Sequence, residues 1–455
     1  MRKNPYFSWI YHYGRFWIRF SYRYLFYRRV EIRGRENFKP DEPLIFAPNH
    51  QNALMDDLAM VTTLKQQPFF VARADLFNAK WIVWFFKLAH MMPIWRIRDG
   101  YENLAKDQEV FDRCGEIISQ GNTLSIFPEG NHNAQRFLRP LKKGMARIAF
   151  QTEDRHDFKL GLKVIPTGLD FSHYDNVRGT LTVSYGTPVT ITDLKDLYRS
   201  DPQAALKELN RRIRVNLLPH MIDIPWLDLH DSVMFLRVMY GARFRELRKL
   251  PGKTLFDKFE GDKEMIRMIA NLRESDPDGM ALMNQRVTEY QALLKKNNYR
   301  DHIPANAPYS IGYLLFNTLW LGLGMPIHIY ALINNYLLFR IPAWLSRHTF
   351  KDPQFRATIA YVSSMAILMP LFYGIQTLII GLIFRTWWIW LVYLLTLLPS
   401  GIFMLHYMFE NRKWRSRIRW AWKFRRKDKD VLRMAELRKL IHEQLDNWIR
   451  AYQSS

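Results

Sequence analysis

Three stretches of this chain, residues 309–339, 357–384 and 386–409, contain no Asp, Glu, Lys or Arg. Each is longer than the roughly 20 residues a helix needs to cross the hydrocarbon of a bilayer. Lipid offers a backbone no hydrogen-bond partners, so such stretches must satisfy their own amides as helix. The second and third are divided only by Arg385, which predicts a helical hairpin. The first is interrupted by Gly322-Leu323-Gly324-Met325-Pro326 and reads as a kinked span or as a hairpin that enters and leaves on one side. Charge favours a re-entrant hairpin or an interfacial pair. Residues 411–430 are dense in Arg and Lys, which keeps them cytoplasmic, and Arg340, Arg347, Lys351 and Arg356 belong on the same side. An even number of crossings achieves that, with the rest of the chain facing the cytoplasm from the inner membrane.

The formal net charge of +23 calls for an acidic partner: nucleic acid, an anionic bilayer or a phosphorylated substrate. Fifteen tryptophans beside so many arginines favour the membrane interface. No zinc spacing, RNP-like strand or basic zipper is present, so no nucleic-acid role is expected. Residues 1–30 are basic and aromatic, without the uninterrupted apolar core of a cleavable signal. Arg15, Arg19 and Arg23 fall on one helical face beside Trp9, Phe16, Trp17 and Phe20, which predicts an interfacial helix on anionic lipid. A lone cysteine, Cys114, excludes an intrachain disulfide and reads as a small core residue of a helix.

Between residues 31 and 220, short apolar strands alternate with helical stretches. The strands are centred on Leu44-Ile45-Phe46-Ala47, Phe69-Phe70-Val71-Ala72, Thr123 to Phe127, Lys163-Val164-Ile165-Pro166 and Leu181 to Tyr185. This predicts an α/β domain, a mixed sheet flanked by helices. Residues 221–308 read as a soluble helical connector or subdomain, 309–410 as a C-terminal α-helical transmembrane region, and 411–455 as a basic helical cytoplasmic tail.

The chemistry sits at two strand ends. Asn49-His50-Gln51-Asn52-Ala53-Leu54-Met55-Asp56 follows the first strand, and Phe127-Pro128-Glu129-Gly130 closes a later one. An unactivated alcohol can attack an acyl group at neutral pH only if a base removes its proton, and histidine suits that task. Residues six apart on one helix point about 240° from each other. His50 must therefore sit in the loop after the strand, with Asp56 inside the next helix to orient the imidazole as in a Ser-His-Asp triad. Asp57 is an alternative partner. Glu129 lies in a Pro-Gly turn that lets backbone approach a ligand, and Arg136, Arg139, Lys142 and Lys143 follow it. Arg96 and Arg98, two apart in an extended piece, share one face and suit a phosphate.

Together these residues resemble the glycerolipid acyltransferase family, over roughly residues 40–190. His50 and Asp56 match its first block, Arg96 with Arg98 its second, Phe127 to Gly130 its third, and Val164-Ile165-Pro166-Thr167-Gly168 its fourth. The resemblance implies an O-acyltransferase of phospholipid synthesis with His50 as base. Glu129, Gly130 and the arginines would position a phosphoglycerol acceptor. The donor would be acyl-CoA or acyl carrier protein, and no metal or cofactor is implied. Five residues rather than the usual four separate His50 from Asp56, as in a branch resembling glycerol-3-phosphate or dihydroxyacetone-phosphate acyltransferases. Asn131-His132 stands where Thr-Arg is common. The acceptor stays open between glycerol 3-phosphate, 1-acylglycerol 3-phosphate and another lysophospholipid or aminolipid hydroxyl. A non-catalytic lipid-binding scaffold is the alternative from a different class.

Overall fold

The computed structural model describes residues 9–74, 80–94, 104–348 and 355–454. They form two compact units: Met1–Pro225 with Leu345–Ala366, and Trp226–Trp344 with Ile367–Ser455.

The first unit is built on one mixed sheet. Its strands are β1 (Arg29–Arg33), β2 (Leu44–Pro48), β3 (Pro68–Arg73), β4 (Met91–Ile94), β5 (Thr123–Ser125), β6 (Lys163–Phe171), β7 (Thr180–Tyr185) and β8 (Val189–Thr190). They lie in the order β1-β7-β6-β2-β5-β3-β4, with β8 pairing to β6. β6, β2, β5, β3 and β4 run parallel, while β7 and β8 are antiparallel to β6. All five residues of β2 are buried, the unbroken apolar run expected of a strand covered on both faces. The helices of this unit include α1 (Trp9–Phe20), α2 (Leu54–Thr63), α3 (Lys80–Leu88), α4 (Leu104–Ser119) and α5 (Lys143–Arg155). Ile117 and Ile118 of α4 and Ile148, Ala149 and Phe150 of α5 form a core with Ile45, Leu124 and Val164 of the sheet. Cys114 is buried in that core, and burial pushes its thiol up to about 12, which leaves it inert. At Gly168 on β6 a Cβ would stand 1.7 Å from the His220 carbonyl oxygen, so no larger residue fits.

α1 uses its arginines differently from the expected lipid-facing pattern. Arg15 donates to the carbonyls of Val61, Leu64 and Gln66, and Arg19 to those of Thr62 and Leu64. These are the carbonyls that the end of α2 leaves without helical partners, where a cation is favoured. The arginine row is turned inward, and the outward row of α1 is aromatic: Trp9, Tyr13, Phe16 and Phe20 are exposed.

The second unit is helical throughout its regular structure. His230–Leu247, Leu255–Ser275 and Pro277–Lys296 pack on one another, and the first and third of them also on Lys429–Ser454. Thr254 and Asp257 cap the second of these reciprocally, and Asp276 caps the third. Among the described residues, three helices are long and apolar enough to cross a membrane: Ile311–His348, Phe355–Phe384 and Trp387–Arg425. The expected hairpin break at 322–326 is absent, because helix Ile311–His348 runs through Pro326 without a turn. A proline removes one backbone donor, but the chain here continues as a helix. Polar side chains tie the apolar helices together. Tyr373 donates to Asn335 Oδ1 at 2.7 Å, Asn335 donates to Ser400 Oγ at 3.1 Å, and Gln376 donates to the Asn334 carbonyl at 3.0 Å. Such bonds hold helices together where lipid gives no hydrophobic drive.

Candidate active site

The site lies where β2 and β5 end side by side. Beyond β2, Asn49 pins the chain to β6 with two side-chain bonds, donating to the Leu169 carbonyl at 3.1 Å and accepting from the Leu169 N–H at 2.6 Å. The loop then reverses through Ala53, whose φ of 44° is a strained conformation for a residue with a Cβ. The reversal brings His50 back onto the first turn of α2. His50 Nδ1 lies 2.8 Å from Asp56 Oδ2, and the N–H groups of Gln51 and Asn52 donate to that same oxygen at 2.8 Å each. Asp56 is fully buried, whereas the His50 side chain keeps 14% exposure. With Nδ1–H directed at Asp56, Nε2 carries the lone pair. The imidazole stacks on Phe127, with ring centroids 4.0 Å apart, and meets the edge of the His132 ring at 5.4 Å.

The Phe127–Gly130 turn is latched to the His50 loop. Glu129 Oε1 accepts the His50 N–H at 2.8 Å, while Oε2 accepts Arg139 Nε at 2.9 Å. Burial pushes the Glu129 carboxyl above the usual range, and the His50 N–H and Arg139 pull it back. In the other direction, Asn133 N–H donates to the His50 carbonyl at 3.1 Å. Gly130 has φ +73°, the left-handed region glycine tolerates, and a Cβ there would press on Lys142 at 3.1 Å.

A cavity of about 630 Å³ opens beside His50. Its apolar wall includes Val71, Ala72, Met91, Ile94 and Ile126, and its polar wall is Lys142, Lys143, Gly144 and Arg147 at the start of α5. α5 begins with no side-chain cap, so its first N–H groups remain available to an anion. A second, apolar cavity of about 150 Å³ lies between α1 and α2, walled by Tyr11, Gly14, Ile18, Leu58 and Val61 among others. Leu54, Asp57 and Met91 border both cavities.

Of the residues singled out from sequence, His50, Asp56, Glu129 and Gly130 come together here. His50 and Gly130 line the larger cavity, whereas Asp56 and Glu129 stand behind them. Asp56, not Asp57, is the partner of His50. Arg96 and Arg98 lie outside the described residues. Arg136 is buried away from the cavity, bonded to Asp170 and the Phe171 carbonyl. Sequence reading passed over Arg147 and the uncapped start of α5. The run Lys142-Lys143-Gly144 ahead of an apolar helical face was the available signal.

Residues 29–170 match the family described as Acyltransferase. Glycerol-3-phosphate O-acyltransferase 1 of Saccharomyces cerevisiae is 27% identical over 239 residues, covering 50% of this chain and 30% of that one. The 1-acyl-sn-glycerol-3-phosphate acyltransferase alpha of Mus musculus is 31% identical over 134 residues, covering 29% and 44%. The chain thus spans less than half the length of either relative. The crystal structure of the 1-acyl-sn-glycerophosphate (LPA) acyltransferase PlsC from Thermotoga maritima aligns at 18% identity with a TM-score of 0.33, over 45% of this chain and 79% of that one. Residues 29–170, the segment that is similar to the acyltransferase family, hold both the His50–Asp56 pair and the Phe127–Gly130 turn.

Proposed function

We propose that the protein is a membrane-bound O-acyltransferase. It moves a fatty acyl group from acyl-CoA or acyl carrier protein to a hydroxyl of glycerol 3-phosphate or 1-acylglycerol 3-phosphate. The observation that carries this reading is the 2.8 Å contact of His50 Nδ1 with buried Asp56 at the mouth of a cavity. His50 Nε2 takes the acceptor hydroxyl proton as the oxygen attacks the thioester carbon. The tetrahedral intermediate collapses, the C–S bond breaks, and the imidazolium returns its proton to the departing thiolate. Asp56 holds the tautomer and stabilises the imidazolium. The sequence of steps calls for no metal and no acyl-enzyme.

Lys142, Lys143, Arg147 and the start of α5 favour a phosphorylated acceptor, since cations and free N–H groups converge on one wall. The apolar cavity between α1 and α2 suits the acyl chain. Names of the relatives point to the same two acceptors.

The membrane attachment follows from amphiphilic substrates, and an inner-membrane site with the catalytic part facing the cytoplasm fits the basic flanks. Geometry within the helical unit supports an even number of crossings. Arg433 pairs with Glu289 at 2.7 Å and Lys296 with Asp430 at 2.8 Å, so the segments before and after the three apolar helices are joined. Three complete crossings would place a bilayer between those partners. Trp414 Nε1 donating to Thr318 at 2.9 Å puts the two ends of the apolar region at one level.

Purified protein in lipid nanodiscs, wild type beside His50→Ala, tests the reading. The assay offers both acceptors with both donors. Transfer to a phosphoglycerol acceptor that disappears in the variant is the expected result. No transfer by folded wild type overturns it in favour of a lipid-binding scaffold.

A further inference from the structure

Asp57 has no task in the mechanism above. Asp56 faces His50, and one step along α2 turns the next side chain by about 100°. That step carries Asp57 to the wall common to the two cavities. Leu54 and Met91, which share that wall, are apolar. An acyl group with its carbonyl beside His50 and its chain in the second cavity has to pass this point. Among the described residues nothing bonds to the Asp57 carboxyl except its own main-chain N–H. Asp57 is not fully buried, and it lines both cavities.

The reaction needs a donor at this place. When the acceptor oxygen adds to the thioester, the carbonyl oxygen becomes an anion, and acyl-transfer sites answer it with preorganised hydrogen-bond donors. Four main-chain N–H groups around His50 are already taken. His50 N–H goes to Glu129, those of Gln51 and Asn52 go to Asp56, and that of Gly130 goes to the Phe127 carbonyl.

We propose that Asp57 is a catalytic residue of the acyl transfer, donating a hydrogen bond to the thioester carbonyl oxygen as that oxygen becomes the oxyanion. This rests on the acyltransferase reading. The proton stays on Asp57 throughout: the O–H···O contact shortens as charge builds, then relaxes when the C–S bond breaks and the carbonyl re-forms. The thiolate is protonated by His50.

A carboxyl can donate only while it keeps its proton. Burial, and after it the charge of Asp56, push Asp57 well above the usual carboxylate range. Its own main-chain N–H pulls it back. Arg15, across the second cavity on α1, is committed to the carbonyls of Val61, Leu64 and Gln66. Tyr11 from α1, Thr358 from helix Phe355–Phe384, and Phe70 and Met91 from the sheet complete that wall without a carboxylate partner. Lys142, Lys143 and Arg147 face the larger cavity from α5, and His50 and His132 from the loops. A carboxylic acid kept neutral by its surroundings so that it can donate to an oxyanion is a known catalytic device.

Asp57→Leu and Asp57→Asn, in full-length protein in nanodiscs with palmitoyl-CoA and 1-acylglycerol 3-phosphate, test this. Asp57→Leu should lower kcat by about 10²–10³-fold, the cost of losing one oxyanion donor, with the donor KM unchanged. Asp57→Asn keeps a donor that does not titrate. It should hold kcat much closer to wild type and abolish the fall in kcat with rising pH that ionisation of Asp57 produces. An Asp57→Leu variant with wild-type kcat, or that fall unchanged in Asp57→Asn, overturns the proposal. If Asp57→Leu fails to fold, by circular dichroism and thermal melting, the Asp57→Asn pH profile decides alone. Wild type without transfer to any acceptor is a separate outcome, which removes the acyltransferase reading and this role with it.

Discussion

Glu129 Oε1 accepts the main-chain N–H of His50 at 2.8 Å, so the glutamate braces from behind the backbone of the histidine proposed as the base. Its other oxygen is occupied by Arg139. A group so placed sets the position of the imidazole, and small misplacements of a reacting group are costly. Glu129→Gln retains an oxygen for His50 but sets an amide against Arg139. The expected outcome is a drop in kcat of about 10²-fold with the acceptor KM little changed. Steady-state kinetics with varied acceptor checks this. A rise in KM at constant kcat would mean that the glutamate binds the acceptor directly.

Asp56 makes a sharper case. Its Oδ2 accepts from His50 Nδ1 and from two main-chain N–H groups, and an asparagine keeps these donors only with its amide oxygen in that one place, without the charge that stabilises the imidazolium. If the amide nitrogen faces His50, the imidazole must present Nδ1 as acceptor and loses its lone pair at Nε2. In a Ser-His-Asp triad the same exchange costs about 10⁴-fold in kcat. Asp56→Asn should fall by a comparable factor while the protein stays folded. A loss under tenfold would show that Asp56 serves the loop and not the base.

The strand-end placement of His50 and Glu129 was legible because each motif follows an apolar run and contains a Pro or Gly that ends it. The division of labour between Asp56 and Asp57 was not. Adjacent carboxylates differ only by a 100° turn about a helix whose starting phase is set by the strained conformation at Ala53. The inward turn of Arg15 and Arg19 was also hidden. A basic row on an amphipathic helix looks alike whether it meets phosphate headgroups or the carbonyls at the end of another helix, as it does here. The break expected at Gly322–Pro326 failed for a further reason: glycine and proline punctuate soluble chains, but apolar helices continue through them when neighbouring helices support the backbone.

Gly14 tests the apolar cavity as the seat of the acyl chain. It lines that cavity, and a Cβ built on it meets nothing within 4 Å. Gly14→Leu therefore fills part of the cavity with side chain from a position where a Cβ is accommodated. One methylene in an apolar pocket changes specificity by about 10–200-fold, so discrimination against long chains should move by at least about tenfold in kcat/KM. Competition between acyl donors of different length, read by mass spectrometry of the product, checks this. Identical preferences in variant and wild type would place the chain elsewhere.

His90 offers a pH test of the same region. Its ring is stacked between Tyr11 of α1 at 4.4 Å and Phe69 of β3 at 4.6 Å, and it contacts Gln67. Burial first, then the nearby charges of His12 and Arg15, push it down to about 4. The unfolded chain takes up the proton near pH 6.5, but the folded protein resists until about pH 4. Above pH 6.5 both states are neutral and the contribution to stability is fully present. As the pH falls from 6.5 toward 4 the unfolded state binds the extra proton, and stability declines. Thermal melts in nanodiscs over that window should show a falling Tm. His90→Asn removes the titrating group and suits the positive φ of 57° at this position. It lowers Tm at every pH through the lost stacking, but the part of the slope between pH 6.5 and 4 that belongs to His90 should vanish. An unchanged slope in the variant would assign the acid sensitivity to other groups, such as the raised carboxyl of Glu129, which responds in the opposite sense: its folded form gains the proton first as the pH falls.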